Sequence, residues 1–106
     1  AKDLASISNA STIPFNELNS AYGYLLINAT SLGMHNPEDM VISQSAIQNY
    51  SALMDVVIGD TRLIREAQKN GKKVIRGREM TVYQAAEQFK IYTGKELPEG
   101  FIKERL

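Results

Sequence analysis

The chain contains no cysteine and a single histidine, His35. Disulfides, thiolate nucleophiles, iron–sulfur ligation and a multi-histidine metal site are excluded together, so no metal is expected. Neither charge sign dominates: 12 lysine and arginine residues balance 12 aspartate and glutamate residues. Neither sign gathers into a run, which leaves no electrostatic footprint for nucleic acid or for an anionic membrane. No apolar stretch approaches the roughly 20 residues that cross a bilayer, and the first residues lack a charged-then-apolar signal pattern, so the expected compartment is the cytoplasm. Repeats, low-complexity tracts and linkers are also missing, and residues 1–106 are expected to form one domain with one core.

What is present is an alternation of short apolar runs and amphipathic stretches, the pattern of βα units, so the fold class is α/β. Residues 24–30 (YLLINAT) and 54–59 (MDVVIG) are continuous apolar runs ending in small or polar residues, as strands buried on both faces of a parallel sheet do. Residues 72–76 (KKVIR) give a third strand, and residues 11–15 (STIPF) a candidate fourth that Pro14 confines to an edge or a strand end. A helix is expected over 43–53, with Ser45 and Gln48 as a capping box, and another over 61–70, closed by a left-handed Gly71. The strongest helix signal covers 81–93: Val82, Ala85, Ala86, Phe89 and Tyr92 recur at helical spacing, Thr81 suits the cap and Gly94 the stop. Pro98 suits the first turn of a short helix running to Leu106.

Ligands of open parallel sheets bind beyond the carboxyl ends of the strands, where loops converge and helix N-termini present free N–H groups. Three strings follow the three strands there: residues 28–34 (NATSLGM), 59–61 (GDT) and 77–80 (GREM). Their small residues and glycines allow a flat ring to approach the backbone. The same residue types also form ordinary turns, and composition alone does not separate the two readings.

Residues 26–34 (LINATSLGM), 55–57 (DVV), 77–80 (GREM), 83–86 (YQAA) and the pair Thr93–Gly94 together resemble the shikimate dehydrogenase family in order and approximate spacing. The resemblance runs over residues 18–94. It implies part of a Rossmann-type NADP-binding domain, paired with an N-terminal substrate domain, that passes hydride between NADPH and 3-dehydroshikimate to give shikimate in aromatic amino acid biosynthesis. By position, the backbone of Asn28, Ala29 and Thr30, with Ser31 beside them, would lie along the cofactor. Gly77 would meet the nicotinamide amide, Met80 would pack beneath the nicotinamide ring, and Gln84 would reach the substrate. Two of these have local alternatives: Gln84 completes a capping box with Thr81, and a methionine at a helix start also serves as core filler. His35 reads as a solvated loop residue, and Arg76 and Arg78, beside Gly77, carry no role in the resemblance.

Several family features are not found in these 106 residues. A glycine-rich phosphate turn and the basic motif that favours NADP over NAD are absent, and so are the family's catalytic lysine and aspartate, so no catalytic residue is expected in this chain and it is expected to be inactive alone. The start, residues 1–7, reads as the tail of the helix that follows that turn. The strand order of such folds then leaves an open sheet edge, to be completed by the N-terminal part, by a second chain, or by self-association in a homo-oligomer. Inside the matched region, Ile58 and Asp60 replace the tyrosine and proline of the family pattern. A quinate-using or shikimate dehydrogenase-like paralogue, or a non-catalytic binding module, is therefore the alternative.

Overall fold

The computed structural model describes residues 2–106, so Ala1 of the expected helix tail lies outside the described residues. The elements in order are α1 (Lys2–Ser8), β1 (Gly23–Asn28), β2 (Tyr50–Asp55), α2 (Arg62–Lys69), β3 (Lys73–Arg76), α3 (Gly77–Thr93) and α4 (Glu99–Lys103), with 3-10 turns at Phe15–Ser20 and Ser45–Asn49. The strands form one parallel sheet in the order β1-β2-β3, a partial Rossmann-type α/β arrangement. Register places Leu26, Leu53 and Val74 level with one another, and Asn28, Asp55 and Arg76 level two residues further on.

The core lies on one side of that sheet. Ile42, Ala46, Ile47, Tyr50, Leu53, Leu63 and Ala67 form it, with Leu18, Leu26 and Val74 packed against them. Ile47, Leu53, Leu63 and Ile64 are fully buried, each contributing about 2 kcal/mol by removal from water. The other face carries Leu25, Ile27, Met54 and Ile75, because side chains alternate along a strand. Leu25 and Ile27 remain 39% and 52% exposed, so this apolar face is only partly covered. Beyond β3, α3 buries Gly77 alone among its 17 residues. The radius of gyration is 16.0 Å, against about 13 Å for a compact domain of this length. No helix among the described residues is long and apolar enough to cross a membrane.

Helix α2 forms as expected. Thr61 caps it by accepting from Ile64 N, and the far end closes with Gly71 N donating to Gln68 O and Lys72 N to Ala67 O, around a left-handed Gly71 at φ 68°. Other expectations require correction. Residues 11–15 form no ladder: 11–14 have no regular structure, Pro14 is extended at φ −60° and ψ 145°, and Phe15 opens the 3-10 turn. The 43–53 helix is only a 3-10 turn, and its second half is β2. Ser45 and Gln48 make no capping box; Gln48 Nε2 donates to Asn70 Oδ1 and the residue before the turn is an uncapped Gln44. The second strand is therefore Tyr50–Asp55, four residues earlier than its apolar run suggests.

Helix α3 also starts four residues before its apparent cap. Thr81 lies inside it and donates its hydroxyl to Gly77 O at 2.9 Å. The cap position is Arg76, whose N–H donates to Glu79 Oε1 at 3.3 Å. Gly94 ends the helix in the left-handed region at φ 69°. Pro98 sits at the cap of α4 and not in its first turn.

Candidate functional site

The carboxyl ends of β1 and β2 meet in a buried polar network. Asn28 is 2% exposed and Asp55 fully buried. A carboxylate taken out of water is tolerated only when hydrogen bonds replace its hydration. Asp55 has three: Oδ1 accepts from Asn28 Nδ2 at 3.1 Å and from Val57 N at 3.0 Å, and Oδ2 accepts from the Thr61 hydroxyl at 2.7 Å. Asn28 is as fully committed. Its amide also donates to Leu32 O at 3.1 Å, and its Oδ1 accepts from both the N–H and the hydroxyl of Thr30, at 3.1 and 2.7 Å. This turn, closed by an asparagine side chain, ends β1 and lifts residues 29–31 out of the sheet.

The expected cofactor contacts fall on that rim. Ala29, Thr30 and Ser31 are exposed and present small side chains above the Asn28 anchor. Asn28 itself has no side-chain capacity left for a ligand. Gly33, at φ 93°, seats the loop on α2: a Cβ there would lie 3.2 Å from Thr61 Cγ2. The loop is also fixed farther on, where Arg62 N donates to Pro37 O at 2.7 Å and Arg65 pairs with Glu38. That partner, by hydrogen bonding and charge, holds the Arg65 guanidinium above its ordinary pKa.

Gly77 opens α3 on the same rim, and its lack of a side chain is a packing requirement. A Cβ would sit 2.4 Å from Val56 O and 2.6 Å from Val57 O. The start of α3 therefore lies directly on the segment that leaves β2. Gly77, Met80 and Gln84 follow one another at helical spacing on a single stripe. Met80 is half-buried and Gln84 exposed. Because Thr81 is not a cap, Gln84 has no capping role. Arg76 is engaged by Gln68 and Asp60, and Arg78 by Arg105 O at 2.7 Å, while His35 is exposed. Asp55 and Thr61 stood in the strings 55–57 and 59–61, but their side-chain bond was not legible; the signal that could have found it is an acid inside a buried run, followed six residues later by a helix cap.

Known proteins place this arrangement. The family described as Shikimate 5'-dehydrogenase C-terminal domain matches residues 77–106. The NADP(+)-dependent shikimate dehydrogenase of Methanosarcina barkeri is 35% identical over 111 residues, which cover 97% of this chain and 40% of that protein. The chain belongs to the shikimate dehydrogenase family. The fold agrees with solved structures of shikimate dehydrogenases. A shikimate 5-dehydrogenase-like protein superposes with a TM-score of 0.84 at 34% identity, over 98% of this chain and 40% of that one. The Thermus thermophilus shikimate 5-dehydrogenase, solved with NADP(H) and shikimate, gives 0.82 at 29% identity, over 99% and 40%. The chain spans 17% to 40% of the length of the curated relatives it matches.

Proposed function

We propose that this chain forms part of the NADP site of an NADP-dependent shikimate dehydrogenase, which interconverts 3-dehydroshikimate and shikimate. The observation that carries the reading is the pair of walls on one rim, either side of the end of β2: the exposed 29–31 backbone held up by Asn28, and the Gly77, Met80, Gln84 stripe at the start of α3. Small residues on the first wall and the helix start on the second fit a flat, polar ring that needs close backbone approach. NADPH, when bound, supplies the hydride. The protein's own share is orientation: residues 28–31 and Gly77 border the cofactor, Met80 supports its ring, and Gln84 extends an amide towards the substrate. Proton transfer is assigned to no residue of this chain.

The proposal includes a partner surface. The outer edge of β1 is unpaired among the described residues, and Leu25, Ile27 and Tyr24 are exposed beside it. Together with the large radius of gyration, these favour an N-terminal domain or a second chain completing the sheet. The test is NADP-linked oxidation of shikimate by the full-length protein, with Gln84→Ala beside it. The variant is expected to raise KM for shikimate about tenfold while leaving thermal stability unchanged, since loss of one substrate hydrogen bond corresponds to about 1.4 kcal/mol. A wild-type protein that binds no NADP(H) would overturn the reading.

A second reading, a shikimate dehydrogenase-like paralogue acting on quinate or a module that only binds, is favoured by Ile58 and Asp60. Ile58 is 66% exposed on the rim, and Asp60 is taken up by Arg65 and Arg76 at 3.5 and 3.4 Å. Comparing quinate with shikimate as substrates separates the two.

A further inference from the structure

We infer that Asp55 is the positioning residue that holds the two walls of the rim in register with each other. The inference deepens the NADP-site reading and rests on it for its functional consequence. From one buried carboxylate, two chains of contact lead to opposite walls. Through Oδ1, Asp55 orients the Asn28 amide, whose remaining bonds fix Thr30 and Leu32 and so set the 28–32 backbone. Through the same oxygen it fixes Val57 N, and the carbonyls of Val56 and Val57 are the surface on which Gly77 and the start of α3 lie. Val56 N, donating to Asn28 O at 3.1 Å, closes the circuit between the walls. Through Oδ2, Asp55 fixes the Thr61 side chain, whose Cγ2 would lie 3.2 Å from a Cβ added at Gly33 in the same loop.

Nothing else among the described contacts joins all of these parts. A residue that only stabilised the sheet would sit among the apolar core side chains. Asp55 instead stands one level beyond Leu53 on the same face, where each of its bonds goes to a group that shapes the rim. Charge matters as well as shape, because hydrogen bonds to an ionised acceptor are roughly twice as strong as neutral ones. In Asp55→Asn one oxygen becomes a donor, so the Thr61 hydroxyl loses its acceptor and the remaining bonds lose their charge assistance. Asp55→Ala removes every acceptor and leaves buried donors unpaired.

The experiment is amide hydrogen exchange and NADPH fluorescence titration on the full-length protein, for wild type, Asp55→Ala and Asp55→Asn. Exchange is expected to rise about tenfold or more at residues 28–34 and in the first hydrogen-bonded turn of α3, residues 80–84, together, with Leu53 and the later turns of α2 still protected, and NADPH affinity to fall about tenfold. If Asp55→Ala shows no protected core, Asp55→Asn decides alone, with the same pattern at smaller amplitude. A uniform rise across the sheet, or a rise at one wall only, overturns the inference. Coupled exchange with unchanged NADPH affinity overturns its functional half. A wild type that does not bind NADPH sinks the NADP-site reading instead, while the exchange pattern still decides whether Asp55 couples the walls.

Discussion

Replacing Gly77 with alanine sets two effects of opposite sign against each other. Alanine is favoured over glycine in a helix by at most about 1 kcal/mol. Against this stands the added methyl group, 2.4 Å from Val56 O and 2.6 Å from Val57 O, where carbon and oxygen normally stay about 3.3 Å or more apart. A flexible side chain could swing away; these are backbone carbonyls in a segment held by Val56 N to Asn28 O and Val57 N to Asp55 Oδ1. Relief therefore requires α3 to lift from the sheet or the network to open. Overpacking costs about 1–3 kcal/mol even where neighbours can shift, so the net expectation is a loss of about 2 kcal/mol or more. Urea unfolding followed by circular dichroism measures it. Gly100→Ala is the control, the same chemical change in α4 with nothing within 4 Å of the new carbon, and it should be neutral or slightly stabilising. A Gly77→Ala protein as stable as the wild type, or shifted in the same direction as Gly100→Ala, refutes the packing argument.

Gly94→Ala should cost about 1 kcal/mol through backbone conformation alone, because φ is 69° and no atom lies within 4 Å of a Cβ there; the same urea titration checks it. Lys90 and Glu96, 2.6 Å apart, tie the end of α3 to the following loop. Hydrogen bonding to Lys90 lowers the Glu96 pKa, so this tie is complete above the ordinary carboxylate range and is lost as pH falls through the lower folded value. The Lys90 pKa is raised by the same bond, so the tie is also lost as pH rises beyond the ordinary lysine range. Glu96→Gln should flatten both limbs of melting temperature against pH. The effect should be small and should shrink in salt, because the pair is exposed.

Where local chemistry decides structure, the sequence was readable. The apolar stripe of Leu63, Ile64 and Ala67 and the left-handed Gly71 are neighbours along the chain, and each acts on the same helix. β2 was misplaced because its signal is not local. Ile47 and Tyr50 satisfy helical spacing, and Val56, Val57 and Ile58 have stronger strand propensity than Ser51 or Ala52. Pairing with β1 overrides both, since the ladder from Gly23 opposite Tyr50 to Asn28 opposite Asp55 belongs to a partner 27 residues away. The strand stops at Asp55 because its side chain takes Val57 N out of the ladder. The start of α3 was hidden for a related reason: propensity disfavours a helix beginning at glycine, and only the carbonyls of Val56 and Val57 show why no other residue fits.

The proposed rim follows from the rule that ligands sit at strand ends, but its construction could not be read that way. Asn28 was read for its backbone, whereas its side chain spends every hydrogen bond on building the turn. One residue pair up the sheet, Leu26, Leu53 and Val74 are apolar and belong to the core; the next level on that face is Asn28, Asp55 and Arg76. The change from apolar to polar in one step along all three strands is where the packed interior gives way to the edge proposed for the cofactor. The polar row satisfies itself, through Asn28 to Asp55 and through Arg76 to Asp60 and Gln68, so its side chains do not compete for a ligand. What remains available is the exposed 29–31 loop and the first turns of α3, whose geometry the row has fixed. A site built as proposed would show its contact residues to a motif search and conceal its supports, because each support is defined by hydrogen-bond partners that the motif does not contain.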